Sequence, residues 1–198
     1  MIEFINLKKD KPYSIFKEKY ISALKAGQKN IEAISISTYN NEKHEVDSRY
    51  VNLKFINNDE FIFFTNYESP KASAFNTHNQ IAALLYWPYI NVQIRMKAKI
   101  RKTSNEFNQQ YFFDRSEEKN ALAISSSQSK PIESFDIVKE NYTKSFESHD
   151  LKKCPEYWGG YSFTPYEIEF WEGNEFRLNK RNLYKKNKNI WNHFILEP

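Results

Sequence analysis

From Ile90 to Arg101 apolar and polar residues alternate without a break: Ile90, Val92, Ile94, Met96, Ala98 and Ile100 against Asn91, Gln93, Arg95, Lys97, Lys99 and Arg101. A period of two puts successive side chains on opposite faces of a pleated strand, so this segment has one face for a core and one polar face. Its neighbours read as further strands. Ile31–Thr38, Arg49–Lys54 and Gln80–Trp87 are rich in β-branched, aromatic or other apolar residues between turns at Tyr39–Lys43, Asp59–Glu60 and Pro88–Tyr89. Phe61–Asn66 is apolar on both parities and is expected to be covered on both sides.

Helices are fewer. Ile15, Phe16, Tyr20, Ile21, Ala23 and Leu24 give an amphipathic helix over about 13–26, with Pro12 near its start and Gly27 just past its end. Ser69 and Pro70 read as the N-cap and first position of a short helix to His78, and Thr103 or Ser104 caps one running through Phe107, Tyr111 and Phe112. Ile132–His149 is amphipathic, and Ser125–Ser129 reads as a polar loop. The fold class expected is mainly β with peripheral helices, its strands antiparallel and closed by short turns, in one domain over 1–198.

Trp158–Arg181 holds three of the four glycines and two of the four tryptophans. Tyr166, Ile168 and Phe170 alternate with Glu167, Glu169 and Trp171 as in a strand with unlike faces. Glu172-Gly173-Asn174 reads as a tight hairpin turn, which would put Arg177, Asn179 and Arg181 on one face of a returning strand. Such a row beside an aromatic is either a seat for a flat anion or an exposed hairpin with solvated arginines.

Composition removes several classes of function. A hydrophobic content of 40% with 17% aromatic residues argues against disorder, despite a mean hydropathy of -0.77. No apolar run is long enough to span a bilayer, and the first residues lack the pattern of a secretory signal. Cys154 is alone, so no internal disulfide forms and a cytoplasmic setting is expected. The net charge of +4 falls short of a nucleic-acid footprint, although Lys180, Arg181, Lys185, Lys186 and Lys188 cluster. His44, His78, His149 and His193 show no metal-ligand spacing, so no metal is expected. No glycine-rich phosphate loop is present, so a nucleotide cofactor would be held by Arg, Lys, Ser and Thr side chains.

WGG followed by P-x-x-IEFW-x-G-x-x-x-RL-x-x-R over 158–181 resembles the C-terminal signature of the pyridoxamine 5′-phosphate oxidases, FMN-dependent enzymes that make pyridoxal 5′-phosphate. Five upstream segments resemble the family in order. Arg49-Tyr50-Val51-Asn52-Leu53-Lys54 is similar to its R-x-V-L-L-K, and Phe64-Thr65-Asn66 with Ser69 and Lys71 to its YTN-x-x-SRK. Gln93 matches the glutamine of ERQV, Tyr111-Phe112-x-x-Arg115 matches YF-x-x-RP, and Gln128-Ser129 matches a QS pair.

The resemblance implies an FMN-binding split β-barrel homodimer with FMN at the subunit interface, bound by residues of both chains. The FMN contacts implied are Arg49, Tyr50, Val51, Asn52, Leu53, Lys54, Phe64, Thr65, Pro70, Lys71, Gln93, Gln128, Ser129, Trp171 and Arg181. Lys54, Tyr111, Arg115 and Lys119 would grip the substrate phosphate, Arg177 would lie over the pyridine ring as the catalytic residue, and Asn179 would face the substrate. The reaction implied is hydride transfer from the C4′ carbon of pyridoxine or pyridoxamine 5′-phosphate, with molecular oxygen reduced to hydrogen peroxide. Asn52, Pro70, Lys119 and Asn179 replace the family's leucine, arginine, serine and histidine. These departures leave open an oxidase of a different ring substrate, as in phenazine-type biosynthesis, and a flavin- or pyridoxal-phosphate-binding protein without turnover.

Overall fold

A computed structural model describes residues 1–198. Ten strands form one sheet: β1 (Glu3–Ile5), β2 (Ala33–Asn40), β3 (Glu45–Asn52), β4 (Phe55–Asn57), β5 (Glu60–Asn66), β6 (Gln80–Trp87), β7 (Val92–Lys102), β8 (Trp158–Glu172), β9 (Lys180–Asn187) and β10 (Ile190–Leu196). Five helices accompany them: α1 (Lys11–Lys25), α2 (Pro70–Thr77), α3 (Asn105–Asp114), α4 (Glu117–Ser125) and α5 (Phe135–Ser148). The strand order is β1-β4-β5-β8-β7-β6-β2-β3, with β9 and β10 added beside β8. The expected antiparallel pairing holds throughout except between β1 and β4, which run parallel.

The alternating segment 90–101 lies on β7. Val92, Ile94, Met96, Ala98 and Ile100 are all buried, while Ile90 ends a short 3-10 turn before the strand. In β8 the inward parity changes partway. Tyr161 and Phe163 face the core in the first half, Ile168 and Phe170 in the second. The switch occurs where Lys97 pairs with Glu167 but Ala98 pairs with Pro165, leaving Tyr166 as the extra residue of a β-bulge. Pro165 has no N–H to offer a ladder, which suits it to that irregularity.

One core of 28 buried residues lies between the sheet and α1. Tyr13, Phe16, Tyr20 and Ala23 recur at helical spacing along α1 and are buried. Phe16 meets Phe61 edge-on at 5.2 Å and Trp87 at 5.7 Å, so α1 is fixed across β5 and β6 by aromatic contacts.

Three expectations need correction. Glu172-Gly173-Asn174 is not a tight hairpin turn: residues 173–179 connect β8 to β9, and Phe176 and Arg177 take positive φ of 57° and 60°. Consequently Arg177 and Asn179 precede the returning strand, and only Arg181 lies within it. Gly173 serves a close approach instead, because a Cβ there would overlap the Asn91 side chain, whose backbone carbonyl accepts from Gly173 N at 2.9 Å. The third correction is α4, a helix in a stretch for which no element was expected, directly before the Ser125–Ser129 segment.

Candidate active site

A cavity of about 540 Å³ opens where β3, β5, α2, α3, α4 and the start of β8 converge. Tyr50, Val51, Asn52 and Lys54 form one wall and Phe64 and Thr65 another; Lys71, Gln128 and Trp158 line it too. Tyr111, Asp114, Arg115, Ser116 and Lys119 complete it from the junction of α3 and α4.

The junction is anchored by a polar lock under WGG. Asn108 of α3 accepts from Gly160 N at 2.9 Å and from Thr103 Oγ1 at 2.5 Å, and its amide donates to the Tyr67 hydroxyl at 3.0 Å. That hydroxyl donates to the Gly160 carbonyl at 3.1 Å. A Cβ on Gly159 would overlap the Tyr67 hydroxyl, and one on Gly160 would sit 2.5 Å from Thr103 Oγ1. The two glycines let α3 approach β8 closely enough to hold Tyr111 and Arg115 in place.

Tyr111 stacks on Phe64 with ring centroids 3.8 Å apart, and the Arg115 guanidinium lies 4.6 Å over the Trp158 ring. Burial pushes the Tyr111 hydroxyl's pKa up, opposed by Arg115, so it remains a donor at neutral pH. Burial also lowers the Arg115 pKa, and the buried Arg115 Nη1 has no hydrogen-bond partner. Lys54 is lowered first by burial; Glu32 acts against this, while Lys119 and Arg115 lower it further by charge repulsion. Cations facing one cavity with an orphaned donor form a site for an anion.

Lys71 is a further, buried cation on the cavity wall. Its side chain is buried, and Nζ donates to Thr65 Oγ1 at 3.0 Å, Ser69 Oγ at 3.2 Å and Gln128 Oε1 at 3.3 Å. All three partners are neutral. Burial, reinforced by Arg49 and offset by Asp47, brings the Lys71 pKa down to about 8. Ser69 is the residue before α2 as expected, but its hydroxyl makes no cap bond and serves Lys71.

The other expected residues lie elsewhere. Arg49 turns across β2 to the Ile36 carbonyl at 3.2 Å and Thr38 Oγ1 at 2.9 Å, and pairs with Asp47. Leu53 is wholly buried in the core, and Pro70 is exposed at the first position of α2. Ser129, at a φ of 69°, borders a separate cavity with Lys130 and Asn141. Gln93 is the ladder partner of Trp171, and Trp171 of Arg181, so these three form a row across β7, β8 and β9. None of that row borders the main cavity, nor do Arg177 and Asn179. Arg181 donates to Glu169 at 2.8 Å and to the Glu197 carbonyl at 3.0 Å, and Asn179 Oδ1 accepts from Asn174 N at 3.1 Å. Within one chain the cavity residues and the Gln93–Trp171–Arg181 row therefore stand apart, and Arg49, Leu53, Pro70 and Ser129 belong to neither.

Sequence reasoning missed Asp114, Ser116 and Trp158 as walls of the cavity. Trp158 carried a signal, since it opens WGG; Asp114 and Ser116 merely flank Arg115. Cys154 is buried with its thiol pushed up to about 11, chiefly by burial, consistent with an inert residue. No group of His, Cys, Asp and Glu is arranged to hold a metal, and no helix is long and apolar enough to cross a membrane.

Residues 158–198 match the family model described as the pyridoxine 5′-phosphate oxidase C-terminal dimerisation region. A pyridoxine/pyridoxamine 5′-phosphate oxidase of Hydrogenovibrio crunogenus is 34% identical over 191 residues, covering 94% of this chain and 88% of the relative. The chain belongs to the pyridoxine/pyridoxamine 5′-phosphate oxidase family. A relative of the same name from Legionella pneumophila is 35% identical over 189 residues, covering 94% and 87%. Among solved structures, PhzG from Burkholderia lata, in complex with tetrahydrophenazine-1-carboxylic acid, superposes with a TM-score of 0.89 at 24% identity over 94% of this chain and 92% of that one. A pyridoxamine 5′-phosphate oxidase-related, FMN-binding protein from Nostoc punctiforme gives 0.76 at 15% identity over 92% and 97%. The fold is thus the split barrel of this family.

Proposed function

We propose that the chain is an FMN-dependent oxidase converting pyridoxamine or pyridoxine 5′-phosphate to pyridoxal 5′-phosphate, with oxygen reduced to hydrogen peroxide. The observation that carries this reading is the cavity where Lys54, Tyr111, Arg115 and Lys119 converge with a buried, partnerless Arg115 Nη1. A phosphate there would satisfy the orphaned donor and relieve the repulsion among the cations.

The residues present also fit FMN. Buried Lys71, hydrogen-bonded only to neutral partners, lacks a counter-charge that the cofactor's phosphate would supply. Thr65 and Gln128 would join it there, with Tyr50, Val51 and Asn52 along the cofactor. When bound, FMN would supply the redox chemistry that couples oxidation at C4′ to reduction of oxygen. The protein's contribution is placement and charge. Lys54, Tyr111 and Arg115 anchor the phosphate, with Lys119 adding charge at the rim, and so fix where the pyridine ring lies. Arg177, supplied by a partner copy, would stabilise charge as C4′ is oxidised.

Arg177, Asn179, Gln93, Trp171 and Arg181 complete the site from a second copy of the chain. Two features support a homodimer: the match of 158–198 to a dimerisation region, and large apolar side chains exposed beside this group. Phe176 is 89% exposed, Leu178 68% and Ile195 81%, more apolar surface than a solvated turn requires.

The test is turnover by the FMN-loaded protein in air. Equal amounts of pyridoxal 5′-phosphate and hydrogen peroxide are expected from pyridoxine 5′-phosphate. Peroxide without the aldehyde, or neither product, contradicts the assignment.

A further inference from the structure

Three cations crowd the end of the cavity assigned to the substrate phosphate. Lys54 comes from the β3–β4 connection, Arg115 from the end of α3 and Lys119 from the first turn of α4. Arg115 is tied to that turn, since its Nη2 donates to the Lys119 carbonyl at 3.4 Å. The lone carboxylate on the cavity wall is Asp114, which accepts from Gln110 Nε2 at 2.9 Å. Glu32 stands behind Lys54, outside the lining, and is offset by the chain's amino terminus at 3.9 Å. Lys71 lies apart, held by Thr65, Ser69 and Gln128 at the position that suits the cofactor's phosphate.

Counted this way, the substrate end carries two positive charges beyond its carboxylate. Without Lys119 it would carry one. A phosphomonoester is close to doubly charged at neutral pH, whereas a sulfate ester or a ring carboxylic acid carries a single charge. Lys119 makes no side-chain hydrogen bond or ion pair in the protein and is exposed at the cavity rim, so its ammonium is available to the ligand.

Resting on the function proposed above, we propose that Lys119 is a specificity-determining residue that makes this subsite select a doubly charged phosphomonoester over a singly charged anion of the same shape. It acts at water-exposed range through charge, where Lys54, Tyr111 and Arg115 supply the directional contacts. A tetrahedral anion with one charge less would fit the same donors and lose part of the attraction.

The experiment compares two esters that differ in one charge and little else. 4-Deoxypyridoxine 5′-phosphate and its 5′-sulfate have no 4′ hydroxyl or amine to oxidise, so their binding to the FMN-loaded protein can be measured by calorimetry without turnover. At roughly 6 Å in water-like surroundings each unit of ligand charge facing a lysine is worth about threefold in affinity. Lys119→Ser is therefore expected to weaken the phosphate about tenfold and the sulfate about threefold, narrowing the preference between them about threefold. Lys119→Arg should retain the preference, and added salt should compress it in the wild type. Lys119 is exposed, so neither substitution threatens the fold. Equal losses on the two esters, or no loss on the phosphate, would overturn the role of Lys119 and leave the oxidase reading standing. Failure of the wild type to bind either ester would overturn both.

Discussion

The guanidinium of Arg115 lies 4.6 Å over the indole of Trp158, so the first residue of the WGG motif is the floor on which the most buried cation of the cavity end rests. The motif thereby joins two tasks. Gly159 and Gly160 admit α3 against β8, and Trp158 orients the arginine that α3 delivers.

Trp158→Leu removes that floor. Losing a cation–π contact in a partly desolvated site costs about 1–2 kcal/mol, so KM for the phosphorylated substrate should rise about tenfold. Trp158 is also 7% exposed in a small cluster with Phe112 and Cys154, and truncation should destabilise the fold by about 2–4 kcal/mol. Steady-state kinetics and thermal unfolding check the two parts separately.

Gly159→Ala tests the lock itself. The added methyl would overlap the Tyr67 hydroxyl and lie 2.5 Å from the Asn108 amide, two side-chain ends that can yield only by breaking the hydrogen bonds of the lock. Overpacking of this kind costs about 1–3 kcal/mol, or roughly 3–10 °C in Tm for a chain of this size. An unchanged Tm would mean that α3 does not need its close approach.

Much of the fold was open to sequence reasoning because burial on one face of a strand leaves a direct mark. Val92 to Ile100 on β7, and Phe61 to Phe63 covered on both sides of β5, carry that mark. What escaped depends on contacts distant in the chain. Gly173 reads as a turn residue, yet its role is to clear the Asn91 side chain, and the reversal is made later by Phe176 and Arg177 at positive φ. α4 escaped because EEKNALAIS buries only Asn120 and Ala121 and so lacks an apolar stripe. In the site, Lys54, Tyr111, Arg115 and Lys71 were recognisable from motifs at fixed spacing. The burial of Lys71 without a carboxylate was not, since it depends on Thr65, Ser69 and Gln128 meeting around it.

Lys71 gives the protein a distinctive pH dependence. Its folded-state pKa, about 8, lies below the ordinary lysine value of 10.5. Between those values the unfolded chain binds the extra proton, so the stability of the FMN-free protein should rise with pH across that window. Below about 8 both states are protonated and the penalty is fully present. Thermal unfolding between pH 7 and 10.5 should show this rise in the wild type, less of it in Lys71→Met, and less again once FMN provides a counter-charge. Identical slopes in wild type and variant would contradict the assignment.

Pro70 stands at the first position of α2, where the family has an arginine. Pro70→Arg should add a charge-assisted hydrogen bond to the cofactor's phosphate, worth about 1.5 kcal/mol, or about tenfold tighter FMN binding. Quenching of FMN fluorescence on titration measures it. No change would place the phosphate away from the start of α2.

Arg177 is exposed in the β8–β9 connection at a φ of 60° and borders no part of the main cavity of its own chain. Arg177→Ala should keep the yellow cofactor and lose most turnover, at least tenfold in kcat, as expected for a charge acting only in the transition state. Loss of FMN on purification would instead assign this residue to cofactor binding.

In the proposed function this chain oxidises a phosphorylated pyridine with bound FMN as the electron acceptor. The most direct measurement is anaerobic mixing of the FMN-loaded protein with pyridoxine or pyridoxamine 5′-phosphate while the flavin absorbance is followed. Bleaching, with colour returning on admission of air and pyridoxal 5′-phosphate accumulating, is the predicted result. A flavin that stays yellow with both substrates would contradict it and leave a different ring substrate or a binding protein.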